Sequence, residues 1–210
     1  MRILVVDDHA IVREGLRRML SDVFPDLEVV EAATAPDAMK QIRKGNWDLV
    51  ILDLSLPGRN GLEVLKDIHK LRPRVPILVM TMYAVDQYAL RSFRAGASGY
   101  VTKGSPPEDI IDAVQKLLAG GKYMTSALAE HLATTLFSRD TGRPLHESLS
   151  DRELQVLRML ANGLTVKEIA FQLKLSEKTI STYRARVLEK MNMRTAAQLM
   201  RYAIRTHLVD

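Results

Sequence analysis

The run Leu49-Val50-Ile51-Leu52-Asp53 contains four consecutive aliphatic residues and then a carboxylate. A strand with no polar face is one covered on both sides, as in a parallel sheet. The same texture recurs through the first 120 residues. Ile3–Val6 precedes Asp7-Asp8, Ile77–Met80 precedes Thr81, and Gly99–Val101 precedes Thr102-Lys103, with Val29–Glu31 a weaker fifth run. Between these runs apolar residues return at helical spacing, as at Ile11, Val12, Leu16, Met19 and Leu20, and again at Ile110, Ile111, Val114, Leu117 and Leu118. Five strands alternating with five helices predict an α/β doubly wound, five-stranded parallel sheet with helices on both faces. In such folds ligands bind outside the carboxyl ends of the strands.

That rule selects five residues. Asp7, Asp8, Asp53, Thr81 and Lys103 each follow an aliphatic run, so three carboxylates, a hydroxyl and an ammonium converge on one sheet edge. Clustered carboxylates repel one another and call for a cation or a proton. With oxygen ligands only, Mg²⁺ is the expected ion, keeping waters and bridging to a phosphate. A carboxylate can act as nucleophile toward phosphorus, with the metal, Lys103 and Thr81 stabilising the phosphoryl oxygens. Taken singly, each residue has a plainer reading as a turn residue, a strand end or a solvated charge. Their joint arrival at consecutive strand ends favours the chemistry.

Composition limits the alternatives. The 210 residues are 47% hydrophobic and 26% charged, which fits globular domains and argues against disorder. There is no cysteine, so disulfides, thiolate metal sites and cysteine nucleophiles are excluded. No apolar run approaches the roughly 20 residues of a membrane span, and the first six residues are too short for a signal peptide. A cytoplasmic protein that does not engage the membrane is expected. Net charge is +5, but residues 1–120 balance to zero while residues 146–210 carry +4. A basic final third suggests a polyanionic partner.

The texture changes after Gly120-Gly121, which ends the last helix of the first domain. Domains are expected at residues 1–121 and 148–210. A linker at 122–147 carries a helix over Ala127–Phe137 and a flexible stretch, Ser138–Pro144. From Leu149 the pattern is all helical. Ser150 with Glu153 and Thr165 with Glu168 form capping boxes, and Ser176 caps a further helix. Helices are expected over 151–161, 166–173, 177–191 and 195–206. The third mixes hydroxyls with cations, a composition suited to phosphates and base edges in a DNA major groove. A solvated amphipathic helix is the plainer alternative.

Both halves resemble known families. Val5-Val6-Asp7-Asp8-His9, the segment from Asp53 to Gly61, Thr81, and Gly99-Tyr100-Val101-Thr102-Lys103 resemble the receiver domain of two-component response regulators. The resemblance implies that Asp53 accepts phosphate from a sensor histidine kinase. It implies that Asp7, Asp8, Asp53 and the Ser55 carbonyl hold Mg²⁺, with Asp7 acting through water. It also implies that Thr81 and Lys103 hold the phosphoryl group and that Tyr100 is an aromatic switch. Met82 stands where the family usually has a small residue, and Gly104 where many members have proline. A bulky Met82 is expected to shield an acyl phosphate from water. His9 reads as a loop residue.

Residues 149–207 resemble the LuxR-type four-helix DNA-binding domain, and the pair is similar to the NarL/FixJ class of response regulators. The resemblance makes 177–191 the recognition helix. Ser181, Thr182 and Ala185 would read bases, Ala185 by touching a thymine methyl. Lys178, Thr179, Arg186 and Lys190 would contact phosphates, and Arg184 would be shared between DNA and the core. Leu199, Met200 and Ala203 on the last helix would form a homodimer contact, beside packing within the domain. Double-stranded DNA, a second copy and RNA polymerase are the implied partners, in a transcriptional regulator and not an enzyme. A phosphohydrolase would place a second aspartate two residues after the nucleophile, where Ser55 stands. A phosphorylation-independent DNA binder would not need the complete pocket, and a small-molecule-sensing LuxR regulator would not carry this first half.

Overall fold

The computed structural model describes residues 1–82, 85–126, 128–130, 144–206 and 208–209. The chain divides into two compact units, Met1–Phe137 and Ser138–Asp210.

In the first unit the elements follow in the order β1 (Arg2–Val6), α1 (Ala10–Val23), β2 (Glu28–Ala32), α2 (Ala35–Lys44), β3 (Leu49–Leu52), α3 (Gly61–Leu71), β4 (Ile77–Thr81), α4 (Val85–Arg94), β5 (Gly99–Thr102) and α5 (Pro107–Leu118). The strands form one parallel sheet in the order β2-β1-β3-β4-β5. β1 has buried residues at Ile3–Val6, and β3 and β4 are buried throughout, as continuous aliphatic runs require. Side chains alternate across the sheet. Ile3, Val5, Leu49, Ile51, Leu78 and Met80 pack with Leu16 and Leu20 of α1 and with Ile110, Val114 and Leu117 of α5. Truncating one of these fully buried side chains to alanine costs about 2–5 kcal/mol.

Local chemistry fixes the helix ends. Thr34 Oγ1 accepts from the Asp37 N–H at the start of α2, and buried Asn60 Oδ1 accepts from the Leu62 N–H at the start of α3. Beyond Gly120, whose φ of +81° is the left-handed conformation that favours glycine, the chain turns back along the sheet. The Tyr123 N–H donates to the Ser98 carbonyl, and the Tyr100 N–H donates to the Tyr123 carbonyl. Tyr123 also packs on the core. The start of the segment expected as linker is thus part of this unit. The expected helix Ala127–Phe137 lies largely outside the described residues.

Among the described residues the second unit has a 3₁₀ turn, Leu145–Ser148, followed by α6 (Asp151–Ala161), α7 (Val166–Leu173), α8 (Glu177–Lys190) and α9 (Ala196–Arg205). Both expected capping boxes are present, and Thr195 with Gln198 makes a third at the start of α9. Lys174 closes α7 at φ 52° and opens the short turn into α8. Val156, Ile169, Ala170, Leu173 and Ile180 form the small core. His146 Nδ1 lies 2.9 Å from the Tyr202 hydroxyl, tying the 3₁₀ turn to α9.

Candidate functional site

The strand order reverses direction between β1 and β3, and at such a switch point the loops diverge and leave a crevice outside the carboxyl ends. Asp7 follows β1 and Asp53 follows β3. Register pairs Val6 with Leu52, so the two carboxylates emerge side by side. The Asp53 N–H donates to the Val6 carbonyl at 2.9 Å and fixes that alignment. Both side chains are about 1% exposed, while Asp8 stands at the rim.

Two buried carboxylates at one edge need compensation. Lys103, at the end of β5, supplies it: its Nζ lies 2.7 Å from Asp53 Oδ2 and 2.7 Å from Asp7 Oδ2. Burial opposes the ammonium, but the bonds to Asp53 and Asp7 outweigh it and hold its pKa above the ordinary lysine value. Asp53 Oδ1 accepts from the Ser55 N–H at 3.0 Å, which orients the carboxylate. Thr81 is fully buried at the end of β4, where its carbonyl accepts from the Lys103 N–H at 2.9 Å. Tyr100 is buried in β5, more deeply than a strand aromatic lying half in solvent. The edge thus brings together Asp7, Asp8, Asp53, Thr81 and Lys103, as their positions after the strands predicted. Met82, beside Thr81, is 74% exposed.

Two residues join the site that strand ends did not reveal. The His9 ring reaches back, with Nδ1 3.1 Å from Asp7 Oδ1 and 2.9 Å from Asp8 Oδ1. It stands in the loop after β1, as its sequence position suggested, with its ring turned onto the two carboxylates. Arg13, one turn into α1, donates to the Asp7 carbonyl at 2.8 Å and to Glu31 Oε2 at 2.8 Å. Ligand atoms of Asp7, Asp8, His9 and Asp53 all lie within 4.8 Å of one another. A donor set of three carboxylates suits a hard cation such as Mg²⁺.

In the second unit α8 exposes Lys178, Ser181, Thr182, Arg184, Ala185 and Arg186, leaves Thr179 half-buried, and buries Ile180 and Val187. Arg184 is exposed and not shared with the core. Thr179 is tied into the Ser176 cap, and Thr182 Oγ1 donates to the Lys178 carbonyl at 2.9 Å. Lys190 is committed elsewhere: its Nζ lies 2.6 Å from Glu153 Oε2 at the start of α6. The expected dimer contact on α9 needs correction. Leu199 and Ala203 are fully buried and serve the unit's own core, whereas Met200 and Ile204 are exposed at 38% and 53%. Helical periodicity placed the apolar residues on α9 but could not separate its two apolar faces.

A phosphate-type pocket on a parallel sheet, joined to a helix-turn-helix, defines a signal-receiving DNA-binding protein. Residues 3–115 match the family described as "Response regulator receiver domain", and residues 147–203 match "Bacterial regulatory proteins, luxR family". The chain is 36% identical over 210 residues to the response regulator UvrY of Escherichia coli K12, covering all of this chain and 96% of that protein. It is likewise 36% identical to the response regulator GacA of Pseudomonas aeruginosa, covering all of this chain and 98% of that one. Among solved structures it is similar to RcsB of Salmonella enterica serovar Typhimurium bound to promoter rprA with the phosphomimetic BeF3-. That match has a TM-score of 0.65 and 28% identity and covers 96% of this chain and 98% of the other. The chain belongs to the two-component response regulators of the NarL/FixJ class, phosphorylation-dependent transcription regulators that join a receiver to a LuxR-type DNA-binding domain. No helix among the described residues is long and apolar enough to cross a membrane.

Proposed function

We propose that Asp53 is the phosphoacceptor through which a sensor histidine kinase controls DNA binding by α8. The observation that carries this reading is the Lys103 ammonium held 2.7 Å from both Asp53 and Asp7. It marks where negative charge collects and where a phosphoryl group would be met. An Asp53 carboxylate oxygen bonds to phosphorus as the donor's phosphorus–nitrogen bond breaks, leaving an acyl phosphate. Asp7, Asp8, Asp53 and the Ser55 carbonyl would hold Mg²⁺, which when bound neutralises the phosphoryl oxygens. Lys103 places its charge on the phosphoryl group, and the Thr81 hydroxyl donates to it. Tyr100 changes its packing when Thr81 is drawn in. Ser55, standing two residues after the acceptor, offers no general base for rapid hydrolysis, so the site stores phosphate instead of turning it over.

The output is duplex DNA. Ser181, Thr182 and Ala185 face base edges. Lys178, Thr179, Arg184 and Arg186 meet phosphates, in keeping with the +4 charge of residues 146–210. Phosphorylation favours a homodimer on paired half-sites, with Met200 and Ile204 as its exposed apolar face on α9, and RNA polymerase is a further partner in the cytoplasm. Incubation with Mg²⁺ and a small phosphoryl donor, followed by reductive trapping and peptide mass spectrometry, is expected to place the label on Asp53 and to find none in Asp53→Ala. A label on another residue would overturn the assignment.

A further inference from the structure

Helix α8 is anchored along a narrow stripe. Only Ile180 and Val187 among its residues are fully buried, with Tyr183 partly packed between them. With Thr179 and Leu188 only half-buried beside them, this stripe leaves the roll of the helix to be set also by restraints at its two ends. At its amino end Ser176 caps the Thr179 N–H at 3.1 Å. At its carboxyl end the restraint is polar. Lys190 Nζ lies 2.6 Å from Glu153 Oε2, and the same oxygen accepts from the Ser150 N–H at 2.8 Å. Glu153 is 4% exposed, so it depends on these partners. Lys190 is 42% exposed and has one charge to give.

Helical geometry sets Lys190 between buried Val187, about 60° away around the axis, and exposed Arg186, about 40° away on the other side, and about 180° from Ser181. It therefore lies at the border between the flank that meets α6 and the flank that carries Arg186, and its side chain turns to the α6 side, onto Glu153. Gripping a DNA phosphate would divide the Lys190 ammonium between the phosphate and a buried carboxylate.

We propose that Lys190 is a positioning residue for DNA recognition. Its ion pair with Glu153 fixes the roll of α8 against the start of α6, and Lys190 does not contact phosphate. This rests on the reading of α8 as the recognition helix. Supporting shells of this kind hold contact residues in register without touching the ligand.

The two roles predict opposite signs for Glu153→Gln. That change keeps an acceptor for the Ser150 N–H, so the capping box survives, but removes the charge that holds Lys190. The full chain is used, with a duplex selected from a random pool by the wild-type chain, across a range of salt concentrations. If Lys190 positions α8, then Glu153→Gln and Lys190→Met each weaken binding roughly three- to tenfold, and the double variant is no weaker than the worse single one. The slope of log affinity against log salt stays at the wild-type value, and Lys190→Arg binds as wild type. If Lys190 grips phosphate, Lys190→Met lowers that slope by about 0.9, and Glu153→Gln, which frees the ammonium, binds as well as wild type or better. Either of these results overturns the proposal. Circular dichroism confirms folding at the assay temperature, and should Glu153→Gln melt, the Lys190→Met slope alone decides. A wild-type chain that selects no duplex would instead sink the DNA-binding reading, and this inference with it.

Discussion

Asp53 can serve as an acceptor only if its charge is tolerated when buried and remains accessible to a donor. Lys103 meets the first condition by bridging Asp53 and Asp7, and the Ser55 N–H meets part of the second by orienting one oxygen. Met82 bears on the survival of the phosphorylated state. Its side chain is exposed beside Thr81, and on the proposed reading a bulky residue there shields an acyl phosphate on Asp53 from water. Met82→Ala is expected to shorten the phosphorylated lifetime of the purified chain, measured by loss of label from Asp53; an unchanged or longer lifetime contradicts this. The acidic triad, Thr81 and Lys103 were legible because each follows a strand that the aliphatic runs announce. Arg13, and the turn of the His9 ring onto Asp7 and Asp8, were not. Their contacts with Asp7 depend on how the chain folds back after Asp8, which no spacing in the sequence encodes.

Among the elements, the β3–α3 connection carries the tightest constraint near Asp53. A Cβ on Gly61 would lie 2.3 Å from Leu54 Cα, and the Gly61 N–H donates to the Leu54 carbonyl at 3.1 Å. Backbone cannot give way as a flexible side chain can. Gly61→Ala is therefore expected to destabilise the receiver by about 2 kcal/mol. Trp47, the sole tryptophan, lies in this unit and reports its urea unfolding; an unchanged midpoint contradicts the expectation. In the second unit the α6–α8 pairing predicts a pH dependence. Burial pushes the Glu153 carboxyl up, but Lys190 and Ser150 outweigh it and hold it below the ordinary value of 4.5. A lowered carboxylate contributes stability that is present above about pH 4.5 and lost as pH falls through the folded value. Calorimetry from about pH 5 to 3 should lower the second unit's transition more in wild type than in Glu153→Gln; equal losses contradict it. The capping box made Glu153 legible in sequence, whereas its pairing with a residue 37 positions away did not show. The same limit applied to α9, where periodicity found the apolar positions and only packing separated buried Leu199 and Ala203 from exposed Met200 and Ile204.

At the scale of the whole molecule, charge and chemistry divide between the two units. The first balances its charges and concentrates carboxylates at one sheet edge, while residues 146–210 carry +4 and present α8. This division was readable from composition, since each half matches its own texture. Control by Asp53 requires that phosphorylation change the affinity of the second unit for DNA, a coupling commonly worth roughly five- to a hundredfold. The direct measurement is the affinity of the full chain for the selected duplex, with Mg²⁺ and with or without a small phosphoryl donor, in wild type and Asp53→Ala. The donor should tighten binding by wild type within that range and leave Asp53→Ala unchanged. An Asp53→Ala chain that responds to the donor as wild type does would contradict the account.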